Sequence, residues 1–391
     1  RCASVPTCHL PTQLPSVLCL LFVAACGQDF GPCVQNMEPS TANAIRGALF
    51  GALIGDALSM PTHWMYGGQR QVASTYGGAL TGFVKPVERL PGSIMSKSAT
   101  GGGGRGSYKG DVIGSIIFHG KKRFWAPGED FHYHHALGAG ENTLEGLLLR
   151  RTTDVLARHG FSSDALLDDY VKFMTTEDTH NDTYCGTCHR MFFARFAAGR
   201  PLADCPDNDG HNVDTIDALV TTIPVALFAS SDDAAKDDVR RMVRLTRRSK
   251  PAPTFAAEFS TALRAVVAGG DLRGAIAALG TKFRLDIPSA VARLRARDPD
   301  QLTACYLDSA FPAMLTLAYR YADGDRSAAF RAALLANANR GGENVASGAL
   351  LGALFGAHCG YDALPADLLA GLAPSDRDAI NAEVDAFVAA V

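Results

Sequence analysis

The chain has 391 residues, 47% hydrophobic and 20% charged, with a formal net charge of -3 at pH 7. That length accommodates one large domain or two ordinary ones around a sizeable core. The charge balance gives no electrostatic case for nucleic acid or an anionic membrane as partner.

Ten cysteines divide unevenly. Cys2, Cys8, Cys19, Cys26 and Cys33 crowd the start, and only Cys185, Cys188, Cys205, Cys305 and Cys359 serve the rest, so the body does not read as a disulfide scaffold. Pro15 to Ala25 resembles the apolar part of a signal peptide but lacks a clear basic flank, and it is too short to span a membrane. The expectation is a start at Met37, with residues 1–36 a disordered gene-model or processing segment and the protein cytoplasmic. A cleaved signal or transit leader, with the protein targeted, is the alternative.

After Met37 the helix signals dominate. The first helix is capped by Thr41 or Asn43 and ends near Met60-Pro61. It carries Gly47, Gly51 and Gly55, four apart on one face, where another backbone can approach closely. Residues 62–110 read as irregular, and so long a loop in a compact protein is usually functional or mobile. Val112 to Phe118 is a short apolar run, strand or helix. From Thr143 the pattern is helix after helix: 143–159, 163–174, 188–198, 213–229 with a kink at Pro224, 232–248, 254–269, 272–279, 287–296, 303–322, 327–338 and 376–391. Ala346 to Ala357 is a second small-residue helix, with Gly348, Gly352 and Gly356. Alternating β-branched runs are scarce, and no linker interrupts the series. The fold class is all-α, in one domain over 37–391.

Polar residues collect at loop-to-helix junctions. Gly140-Glu141-Asn142 and Gly342-Glu343-Asn344 open two apolar helices far apart in sequence. Asp56 precedes His63-Trp64, His132 to His135 lead into Glu141, and Asp178 to Tyr184 and Asp209 to Asn212 form two further clusters. Glu and Asn at such positions can be caps and dipole partners only. Helix N-termini gathered at one face also suit anions and phosphates. Carboxylates serve as acid and base across a glycosidic bond, Asn and His bind hydroxyls, and Trp64, Tyr66, Tyr133 and Tyr184 can stack on a sugar or base. Cys185 to His189 matches the c-type haem attachment pattern. Coincidence is the favoured reading there, a zinc or redox role the next, haem the last. The glycine run 101–106 is neither a dinucleotide fingerprint nor a P-loop. Arg105 could make it a phosphate-contacting loop.

Ile45 to Pro61, IRGALFGALIGDALSMP, resembles the first-helix motif of the ADP-ribosylglycohydrolases, the dinitrogenase-reductase-activating glycohydrolase superfamily that also holds the jellyfish J1 crystallins. In that family a Gly-Asp-Ala-Leu segment begins the fold. A Thr-Asp-Asp-Thr motif and a late Gly-Gly-Asp-Thr-Asp-Thr motif bind two Mg²⁺. Here Gly55-Asp56-Ala57-Leu58 matches the first, Glu141-Asn142-Thr143 falls where Asp-Asp-Thr would be, and Gly341 to Ala346 falls where the late motif would be. The resemblance spans most of 43–360 and implies a single compact multi-helix all-α domain. Four metal-facing aspartates of the family become Glu141, Asn142, Glu343 and Val345, which implies one Mg²⁺ or none, held by Asp56, Glu141 and Glu343.

The implied activity is hydrolysis of an N- or O-glycosidic ribosyl linkage in a small-molecule or ADP-ribosylated substrate. Glu141 and Asp182 are the expected catalytic pair. His63, Asn142, His180, Asn181, Tyr184, His211, Asn212 and Asn344 are expected to hold substrate. Two other readings stand beside it: a catalytically silent crystallin-like or ligand-binding member of the fold, and a metal-independent glycosidase acting on another small glycoside. The oligomeric state is left open.

Overall fold

Gly47, Gly51 and Gly55 face Gly356, Gly352 and Gly348 in antiparallel register, and a Cβ on any of the six would lie within 2.4 Å of a facing carbonyl oxygen. These glycines bring α1 (Pro39–Ser59) and α13 (Val345–Cys359) into backbone contact, and this pair is the axis of the molecule. Nearly every residue of α13 is buried. A helix hydrophobic all round belongs in a core rather than at a surface.

The structure is a computed structural model that describes residues 39–93, 95, 98–102 and 110–391. Both the expectation for 1–36 and the Arg105 loop lie outside the described residues. The residues from Glu38 to Val391 form one compact unit. Among the described residues there are fifteen α-helices and no β-strand, only isolated bridges.

Around the central pair pack α12 (Arg326–Arg340), α8 (Ala252–Val267) and α11 (Leu307–Tyr321). α6 (Thr222–Phe228) and α7 (Asp232–Thr246) lean on α8, while α3 (Leu144–His159) is covered by α15 (Arg377–Ala390). Helix starts follow local chemistry. The side chains of Thr143, Ser162, Ser231, Asp271, Asp286 and Asp325 each accept a backbone N–H of the first turn, a cap worth about 1 kcal/mol.

The stretch read as irregular contains α2 (Gly68–Tyr76), a short helix that buries only Val72, too little apolar periodicity to register in sequence. Val112 to Phe118 forms turns closed by an Ile113–Ile117 bridge, neither strand nor helix. Pro224 does not kink a long helix. A 3₁₀ turn, Ile216–Leu219, ends before α6, and Pro224 sits in the first turn of α6, where its missing N–H has no partner to lose.

Candidate functional site

Asp56, at the end of α1, is fully buried. Its Oδ2 accepts from Asn142 Nδ2 and Thr143 N, both at 2.9 Å, and its Oδ1 from Thr143 Oγ1 at 2.6 Å. Asn142 also donates to Leu53 O. Asp56 and Asn142 therefore pin the start of α3 to α1. Glu141 turns aside and accepts from Gly138 N at 2.8 Å.

The later turn is built as tightly. Gly341 and Gly342 have φ of +69° and +65°, and a Cβ there would strike Met65 O at 2.3 Å and Thr303 O at 2.7 Å. The buried Arg340 guanidinium donates to Gln301 O and Glu343 O. Burial, only partly offset by the carboxylates of Asp300 and Glu343, brings it down to about 10. Asn344 is fully buried and donates to Thr62 Oγ1 at 2.7 Å.

Between the two turns runs a chain of four side chains. Asp182 Oδ1 meets His134 Nδ1 at 2.7 Å, His134 Nε2 meets His63 Nδ1 at 2.7 Å, and His63 Nε2 meets Glu343 Oε2 at 3.3 Å. All four are buried. Three hydrogen bonds need three protons, and two neutral imidazoles bring two. The third resides on an imidazolium or a carboxyl. Burial raises Asp182, but the His134 interaction and the Leu144 N–H lower it further, leaving it below the ordinary value of 3.8. Trp64 holds the outer end, donating Nε1–H to Glu343 Oε2 at 3.0 Å. Its φ of +59° is unusual for a bulky residue, and such strain gathers at functional sites.

This chain flanks a cavity of about 450 Å³, within the size range of small-ligand sites. Trp64, Tyr66, Tyr184 and Tyr306 supply aromatic walls, and Arg190, Asn212 and Thr215 supply polar ones. The N-terminal turns of α3, α5 (Thr187–Ala197) and α11, and Glu343 just ahead of α13, all reach it. Glu145, in the first turn of α3, lines it too. The Glu145 Oε2 is enclosed and has no hydrogen-bond partner. Burial, joined by the charges of Asp217, Glu343 and Asp56 against the weaker pull of Arg247, holds this carboxyl well above its ordinary 4.5.

The family model for ADP-ribosylglycohydrolases matches residues 37–391. The chain belongs to the ADP-ribosylglycohydrolase family. It is also similar to a solved structure described as an ADP-ribosylglycohydrolase-related protein complex. Identity is 17% with a TM-score of 0.56, covering 90% of this chain and 99% of the other, a likeness that shows the fold. A search of curated proteins finds no match.

Against this family's two-Mg²⁺ pattern the residues do not fit. Asn142 binds Asp56 and Leu53 through its Nδ2, leaving a neutral, unpartnered Oδ1 where the family has a carboxylate, Glu141 is engaged by Gly138, and Val345 is apolar and fully buried in α13. Asp56 accepts three hydrogen bonds from Asn142 and Thr143, while Glu343 receives Trp64 and meets His63. The ligand set expected from sequence, Asp56, Glu141 and Glu343, does not bring its ligand atoms within 4.8 Å of one another.

The other expected residues divide. Asp182, Tyr184 and Asn212 line the cavity, with His63 directly behind it. Asn142 and Asn344 do not line the cavity, and their side-chain N–H groups hold Asp56 and Thr62. His180 packs on Phe118 and Phe173 with its carbonyl held by Lys121, Asn181 is exposed, and His211 pairs with Tyr306 at the surface; none of the three lines the cavity. Sequence reasoning assigned no role to Glu145. Its signal was a carboxylate two residues past the Thr143 cap, where a dipole partner is the ordinary reading.

Proposed function

We propose that this cavity hydrolyses a ribosyl glycosidic linkage, N- or O-linked, in an ADP-ribosyl-type substrate. The observation that carries this reading is a pair of carboxyl groups, Glu145 and Glu343, lining one cavity in different surroundings. Burial and negative neighbours hold the Glu145 carboxyl well above its ordinary value, whereas Glu343 ends a hydrogen-bonded chain that reaches Asp182. A carboxyl held above its ordinary value near a second carboxyl in a different environment is the arrangement expected of an acid and base pair.

Glu145 is the general acid that protonates the departing atom. Glu343, oriented by Trp64 Nε1 and His63 Nε2, takes a proton from the attacking water, and the His63–His134–Asp182 chain stabilises the charge. Tyr184 and Trp64 offer faces for a base or sugar, and the gathered helix N-termini with Arg190 suit a diphosphate. No step uses a Mg²⁺ pair. This sets the chain apart from the two-Mg²⁺ members of its family, a reading favoured by the hydrogen bonds that engage Asp56 and Glu141.

Turnover on a panel of ADP-ribosylated peptides and nucleoside-type ribosides tests the proposal. Hydrolysis of at least one substrate is expected, with kcat lowered about 10²–10⁴-fold by Glu145→Gln. Because Glu145 acts as an acid, turnover should fall as pH rises through its elevated pKa. No turnover on the panel, or turnover unaffected by Glu145→Gln, contradicts it.

A further inference from the structure

Cys188, His189 and Asp217 bring one thiol, one imidazole and one carboxylate to the lining of the same cavity. We infer that these three side chains form a binding site for a single divalent cation of the zinc class, with an open position toward the cavity. Their ligand atoms all lie within 4.8 Å of one another. Metal bonds of about 2.0–2.3 Å set tetrahedral ligand separations of about 3.5 Å, within reach of small rotamer adjustments.

Each ligand is already placed by its surroundings. Cys188 and His189 are the second and third residues of α5, after the Gly186 cap position. His189 Nδ1 meets Tyr170 Oη at 2.7 Å. With the hydroxyl oxygen accepting from Nδ1–H, Nε2 keeps its lone pair for a metal, the usual outer-sphere arrangement of a ligating histidine. Asp217 comes from the 3₁₀ turn ahead of α6, its Oδ2 held by Arg247 Nη2 at 2.6 Å and its carboxylate also bonded by the Thr215 side chain, partners that fix it in place.

The Cys188 thiolate and the Asp217 carboxylate would offset the two charges of a dication, while Arg247 keeps its ion pair with Asp217. The thiolate selects a borderline-soft cation over Mg²⁺, which prefers oxygen ligands. Three protein ligands with one open position is the pattern of a catalytic rather than a structural zinc site.

Cobalt titration of the metal-free full chain tests this without any substrate, so its outcome is separable from that of the hydrolysis proposal. The expected result is a saturable thiolate-to-cobalt charge-transfer band, bleached by Zn²⁺ and indifferent to excess Mg²⁺. Cys188→Ser should abolish that band, and His189→Gln should weaken cobalt binding about 100-fold. Cys305→Ser, at another cysteine lining the cavity, should leave it intact. His189→Gln supplies the test if Cys188→Ser does not fold. A parent without the band overturns the inference, as does a band of undiminished intensity and affinity in Cys188→Ser or His189→Gln.

Discussion

Glu145 shows how one side chain can be tuned for chemistry at a cost in stability. Its carboxyl is raised by burial and by the charges of Asp217, Glu343 and Asp56, so the folded state favours the protonated form. The stability it contributes is complete below the unfolded value of about 4.3 and is lost as pH rises through the folded pKa. Glu145→Gln should therefore gain stability relative to the parent on the alkaline side while losing turnover. Urea unfolding of both at about pH 5 and about pH 8 checks this, the variant's relative advantage being larger at the higher pH. Asp182 behaves in the opposite sense. Burial raises it, but the His134 interaction and the Leu144 N–H hold it below 3.8. Its stabilisation is present above about pH 4 and disappears as pH falls through the folded pKa. Asp182→Asn should cost about 2 kcal/mol or more near neutrality, measured by denaturant unfolding, with the difference from the parent shrinking in acid.

At the scale of elements, the glycine seam between α1 and α13 was legible because four-residue glycine spacing is a local pattern with one geometric consequence. The structure supplies what spacing alone leaves out, that the two stripes face each other in antiparallel register. Gly352→Ala would set a methyl group 1.9 Å from Gly51 O, a clash only helix separation can relieve. It should destabilise the protein by about 3 kcal/mol or more, seen as a lowered Tm. Most helices after Thr143 were legible for the same reason, since each carries an apolar face and several open on a Ser, Thr or Asp cap. α2 and α14 (Ala366–Gly371), with one buried side chain each, leave no comparable trace.

At the scale of the molecule, the fold gathers the start of α3, α5 and α11 and the turn before α13 around one cavity. Convergence of loop-to-helix junctions was readable from their shared polar composition. Which residues face inward was not. Glu141 and Glu145 lie four apart, yet Glu141 closes its own turn on Gly138 and Glu145 enters the cavity. Asn142 and Asn344 look like ligand-binding amides in sequence, and tertiary partners on α1 and at Thr62 absorb their donors. The His63–His134 contact joins residues from separate loops, a pairing that no local pattern encodes.

Calorimetric titration of ADP-ribose into the full chain, with and without Mg²⁺, tests the central claim most directly. The account predicts saturable one-to-one binding of the same affinity in both conditions, because the cavity is built from Glu145, Glu343, the aromatic walls and the helix N-termini rather than from a Mg²⁺ pair. Absence of binding, or binding that requires Mg²⁺, would contradict it.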